Sequence, residues 1–228
     1  MKHSLLFSSA LCLVLGLLCG ILIPISWDAP DPVSAPLPPT ITSTLSENGL
    51  QAQKQEKLDP RDNFSLLNAA CLSISAIKEH NYPCLGSLVH PERGVTFTPF
   101  STVRPETDVT LSASQISKLE SSKTVYVWGE QCGSGSLIEM TPKKYFERFV
   151  FDRDYTLAPR MGVDQILMDG NALENLKDSY PDCRFVDFTF PCQGSVEEGM
   201  NWSSLKLVFA PGEYQWYLVA MIHGQWTT

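Results

Sequence analysis

The chain has 228 residues, 43% of them hydrophobic and 18% charged, with a formal net charge of −8. That balance is globular rather than disordered, and it suits one core-bearing domain once the N-terminus is set aside. No Lys/Arg cluster occurs anywhere in the sequence, which excludes nucleic acid and anionic lipid headgroups as partners of the domain.

The opening MKHSLLFSSALCLVLGLLCGILIPISW has one positive residue, Lys2, followed by an uncharged stretch from Ser4 to Trp27. A cleaved signal has an apolar region of about 7 to 15 residues and a spanning helix about 20, so residues 1–27 are expected to be an uncleaved signal anchor. Ala29 and Ala35 are each followed by proline and make poor cleavage sites, and GLLC at Cys19 lacks the small residue that precedes a lipidated cysteine. A cleaved signal or a lipid attachment stays open as the alternative. Every one of these readings places the rest of the chain outside the cytoplasm, either as a single-pass protein of the cell membrane or as a secreted or lipid-anchored one. Six prolines between Pro24 and Pro39 favour an extended polyproline spacer, so residues 28–58 read as a Pro-rich stalk.

The folded domain is expected over 59–228. Asp59 with Pro60 reads as the start of a long amphipathic helix whose buried face carries Leu66, Leu67, Ala70, Cys71, Ile74 and Ile77. YPCLGSLVHP reads as a short second helix, and GVTFTPF and DVTLS as brief strands. Ser112 with Gln115 has the capping-box spacing. KTVYVWG is a strand by its β-branched and aromatic content, and Gly133–Gly135 forms a turn into SLIEM. TPKKYFERFVF should be a helix with Tyr145, Phe146, Phe149 and Val150 as its apolar stripe. NALENLKDSYP should be another, with Asn171 as cap, and CRFVDFTFP alternates as a strand does. In WSSLKLVFAPGEYQWYLVAMIH the Pro211-Gly212 pair marks a turn. A symmetric hairpin closed there pairs Phe209 with Tyr214, Leu207 with Trp216 and Leu205 with Leu218. It leaves Tyr217, Met221 and His223 on the opposite face, with Ser204, Lys206 and Val208.

LVHPERGVTFTPF, YVWGEQCGSGSLIEMTPKKYFERFVFDRDY, GMNWSSLKLVF and WYLVAMIHGQWT resemble a group of uncharacterised secreted or lipid-anchored proteins of Gram-positive bacteria. Their C-terminal hairpin looks like that of the NTF2-like, cystatin-related α+β fold. The resemblance covers about Asp59 to Thr228 and implies a cone in which a bent antiparallel sheet wraps the long first helix. It brings no activity with it.

The four histidines, His3, His80, His90 and His223, stand at no metal-binding spacing, and no metal or other cofactor is expected. No nucleophile elbow or Ser-His-Asp arrangement is visible. Asp152 and Asp154 in FDRDY read either as turn formers or as a source of a general base. The closing strand is expected to lie inside the sheet, with Tyr217, Met221 and His223 facing the cone's interior. Trp226 would then lie at its rim, beside His90, Arg93 and Tyr126; the alternative is that His223 and Trp226 only seal the open end of the core. These seven are the candidate ligand-binding residues. Five cysteines follow the opening segment, an odd number for an oxidising compartment. Bridges from Cys71 to Cys84 and from Cys132 to Cys192 leave Cys183 over. A Cys183–Cys192 bridge would have to close a strand of about 30 Å.

Two function classes remain. One is a non-catalytic envelope module that binds a small molecule, a peptide or a surface protein through its concavity. The other is a small-pocket enzyme with an Asp or His base. A buried acid beside His223 or His90 favours the enzyme, and a cone without converging ionisable groups favours binding.

Overall fold

The computed structural model describes residues 56–192 and 200–227. The anchor expected over 1–27 and nearly all of the stalk lie outside the described residues. Among those described, no helix is long and apolar enough to cross a membrane.

Helix α1 (Asn63–Lys78) starts later than its sequence suggests: Asp62, not Asp59, is the cap, accepting from the Phe64 and Ser65 amides at 2.9 Å. Asp59 instead bonds Arg61. The helix buries Leu66, Ala70, Ile74 and Ile77, whereas Cys71 stands about 100° around from Ala70 and is exposed. Helices α2 (Tyr82–Leu88) and α3 (Ala113–Ser117) follow, the latter closed by the full Ser112/Gln115 capping box. The next helix is shorter than expected. After α4 (Pro142–Tyr145) the chain widens into a π turn at Phe146–Val150, and its apolar stripe is buried as foreseen. The helix expected from Asn171 shrinks to α5 (Leu176–Ser179), and Asn171 caps nothing.

The main sheet is curved. Its strands are β1 (Val95–Thr98), β2 (Val109–Leu111), β5 (Arg160–Val163), β6 (Arg184–Phe190), β7 (Ser203–Pro211) and β8 (Trp216–Gln225). Their order is β2-β1-β8-β7-β6-β5. Only β1 and β8 run parallel, and the other neighbours are antiparallel. Strands β3 (Tyr126–Glu130) and β4 (Leu137–Met140) form a separate two-stranded sheet. The closing strand is therefore interior, as its apolar sequence implies.

The hairpin register differs from the one read at Pro211-Gly212. The turn lies two residues later, with Gly212 N–H donating to the Gln215 carbonyl and Pro211 opposite Trp216. A bulge then intervenes: Val208 faces Ala220 while Phe209 faces Leu218, leaving Val219 as the extra residue. One extra residue reverses the alternation beyond it. Met221 and His223 thus stand opposite Leu207 and Leu205 on the face covered by α1, while Tyr217, opposite Ala210, stays on the other. That second face is covered too, with Val208, Ala220 and Ile222 packing against Val103, Leu176 and Phe185.

Neither expected disulfide forms, because Cys71, Cys84 and Cys132 are free, exposed thiols. Cys71 and Cys84 face solvent from their own helices instead of each other.

Candidate functional site

At the end of β1 the chain leaves the sheet at Pro99 and Phe100, loops out, and returns so that Asp108 lies back against Thr98. The Asp108 carboxylate accepts from Thr98 Oγ1 at 2.6 Å and from the Arg104 amide at 2.9 Å, both on Oδ2. Beside this loop is a cavity of about 460 Å³. Its walls include Phe100, Arg104 and Asp108 from the loop, Trp128 and Glu130 from β3, Asn171 and Leu173, and Thr227 near the C-terminus. Each wall is fixed by local chemistry. Trp128 donates its indole N–H to the Met140 carbonyl and stacks on Tyr145 at 4.0 Å. Gly129, at φ +126°, takes a backbone conformation that a side chain would strain, and the β3–β4 register breaks there. Asn171 bonds the Thr227 backbone and hydroxyl, which ties that wall to the chain end.

The electrostatics centre on Asp108. Burial pushes its carboxyl above the usual range, with the Arg104 amide and Thr98 hydroxyl offsetting part of that rise. Beneath Trp128 the Tyr145 hydroxyl is buried without a hydrogen-bond partner. Burial, and then the charge of Asp108, drive its phenol well above its ordinary value. An aromatic wall with one partly desolvated acid can hold a small molecule by stacking and by a hydrogen bond or charge. Among the described residues no group of His, Cys, Asp and Glu has metal-binding geometry.

The seven residues singled out from the sequence do not converge. His90 and Tyr217 meet, with ring centroids 5.5 Å apart. Arg93 donates to Cys183 Sγ at 3.6 Å, and the Tyr126 hydroxyl accepts from Gln115. Met221 is buried in the core, and Trp226 is 37% exposed beside Thr227.

His223, itself buried, does meet an acid, the half-exposed Asp152. Its Nδ1 donates to the Pro99 carbonyl at 3.0 Å, and its Nε2 lies 3.7 Å from Asp152 Oδ2. The Tyr155 and Ser203 hydroxyls donate to the same carboxylate at 2.7 and 2.8 Å. Burial alone would raise the Asp152 carboxyl. The contacts from His223, Tyr155 and Ser203 outweigh it and leave the group below its ordinary value. Neither Asp152 nor His223 lines the cavity beside β1. The cavity's own key residues, Asp108 and Trp128, read from the sequence only as strand residues. Nothing local marks a strand residue as cavity-lining when the opposite walls come from positions 171 and 227.

No family model matches the chain, and no curated protein matches it. Among solved structures it is similar to an NTF-2 like protein of unknown function from Shewanella oneidensis MR-1, with 6% identity over 71% of this chain and 98% of that one, at a TM-score of 0.32. It is also similar to a candidate calcium/calmodulin dependent protein kinase II association domain from Xanthomonas campestris, with 12% identity over 75% and 94% of the two chains and a TM-score of 0.28. At these scores the likeness is too remote to bear on function.

Proposed function

We propose that this is a non-catalytic cell-envelope module built on an NTF2-like, cystatin-related cone, which binds a small molecule in the cavity beside β1. The uncharged stretch from Ser4 to Trp27 supports attachment to the cell membrane with the domain outside the cytoplasm. The long helix first and the interior hairpin last support the cone. The observation that carries the reading is the cavity. At about 460 Å³ it falls within the roughly 300–1,000 Å³ of small-molecule sites, a size that suits a metabolite better than a peptide or a surface protein. Protein purified from its own host should carry a bound small molecule in native mass spectrometry, released on denaturation. Ala172→Trp, which puts an indole into the cavity, should abolish that adduct. No adduct, together with no change in tryptophan fluorescence on adding host metabolites, would overturn the reading.

A second reading, an enzyme with an aspartate base, is favoured by Asp108, whose raised carboxyl faces the same cavity. Asp152 lies 3.7 Å from His223 but is not buried, and its other partners are the Tyr155 and Ser203 hydroxyls. Turnover lost in Asp108→Asn with binding kept would favour the enzyme.

A further inference from the structure

On the far side of α1 from its cap, the chain turns through a residue in the left-handed region. His80 has φ +54°. Its amide donates to the Ile77 carbonyl while the Asn81 amide donates to that of Ala76, the Schellman arrangement in which glycine is the usual occupant. An L-residue is strained there. Its ring, however, makes contacts a glycine could not: Nδ1 lies 3.1 Å from the Tyr82 hydroxyl, with the two rings edge to face at 5.8 Å. A second irregularity faces the same place. In the π turn the Phe151 amide donates to the Phe146 carbonyl, five residues back, which brings both rings to one groove; such turns concentrate at functional sites.

The groove, about 230 Å³, is lined by Ile77, His80, Tyr82, Phe146, Glu147 and Phe151. It is aromatic and its one formal charge is negative. Burial, then the charges of Glu120 and Glu147, push the Tyr82 phenol up to about 12. Of the nearby cations, Lys78 pairs with Asp154 and Arg148 lies over the Phe149 ring, while Lys143 pairs with Glu120 and interacts with the Glu147 charge more weakly. We propose that this groove is a binding site for a small organic cation, a protonated or quaternary amine, held by the Tyr82, Phe146 and Phe151 rings and by the Glu147 carboxylate. Aromatic rings and a carboxylate together attract such an ion more than they attract a neutral molecule of the same shape.

The test is titration of the full chain with choline and with 3,3-dimethyl-1-butanol, its neutral isostere, followed by saturation-transfer NMR. Choline should bind on the order of tenfold tighter than the isostere. Glu147→Gln, a change at an exposed side chain, should erase most of that difference, and Phe151→Ala should weaken binding further. His80→Gly should raise the melting temperature while weakening choline binding, since it relieves the strained turn and removes the ring. Ala172→Trp, in the other cavity, should leave choline binding unchanged. Equal binding of choline and the isostere, no choline binding, or a Glu147→Gln variant that binds choline as the native chain does, would overturn the proposal.

Discussion

Lys206 sits mid-strand on β7 with its ammonium wholly buried, 2.9 Å from Glu174 and with Asp187 as its cross-strand partner on β6. Its sequence neighbours fit a half-solvated exterior and a pocket lining equally well. What the strand pattern cannot reveal is the cover, which comes from a segment 32 residues upstream that delivers Glu174 and from a Leu167 amide bonded to Asp187. Removing one member of a buried charge group leaves the others unpaired, at a cost of about 3–5 kcal/mol. Lys206→Met should therefore lose stability in that range by urea denaturation, although methionine fits the space. A loss under 1 kcal/mol would mean that the carboxylates are solvated in solution. Asp152 supplies a pH test. Its folded-state carboxyl titrates lower than it would in the unfolded chain, so its contribution is present above the ordinary value of about 3.9 and is lost as pH falls through the folded-state value. The stability gap between the native chain and Asp152→Asn should thus shrink as pH drops below about 4. A gap that stays constant down to pH 2 would show that Asp152 does not titrate with folding.

Elements were legible where their signals are local. The capping box at Ser112, the strands around Phe97, Trp128 and Phe188, and the aromatic stripe of Tyr145 to Val150 all follow from spacing alone. Three features were not legible, for different reasons. Asp59 and Asp62 both precede the helix with acceptable spacing, and only the backbone at Pro60 and Arg61 decides between them. The bulge at Val219 leaves no mark in an apolar run where both faces are covered, yet it moves His223 to the other side of the sheet. The edge strand β5 is too short and too exposed to announce itself. The cap is the simplest of these to check. Asp62→Ala should cost about 1 kcal/mol, since it strips the acceptor from two helix-end amides. Asp59→Ala, whose partner Arg61 is exposed, should change stability by less than about 0.5 kcal/mol. The reverse ranking in thermal melts would restore Asp59 as the cap.

Across the whole domain, β8 is the strand on which everything closes. It is flanked by β1 and β7, its faces are covered by α1 on one side and by Val103, Leu176 and Phe185 on the other, and it reaches back to β1 through Thr96 opposite Ala220. That pairing joins positions 124 residues apart in sequence, so the sheet cannot be completed until most of the domain has assembled. Opening β8 therefore requires breaking both hydrogen-bonded ladders and exposing two apolar faces, which amounts to global unfolding. The β3–β4 hairpin is placed differently, as a separate two-stranded sheet with Val127 and Leu137 exposed, and two-stranded sheets have little stability of their own. It also carries the Trp128 wall of the cavity, held to the core by the buried Trp128 and Ile138 side chains, so any local opening of the hairpin would loosen that wall. In hydrogen exchange, amides of Trp216–Gln225 should be among the slowest in the domain and should exchange only through global unfolding. Those of Leu137–Met140 should exchange sub-globally, at least tenfold faster, and slow when the cavity is filled by Ala172→Trp. Comparable protection of the two strands would mean that the hairpin is held rigidly by the sheet and that the cavity has no mobile wall.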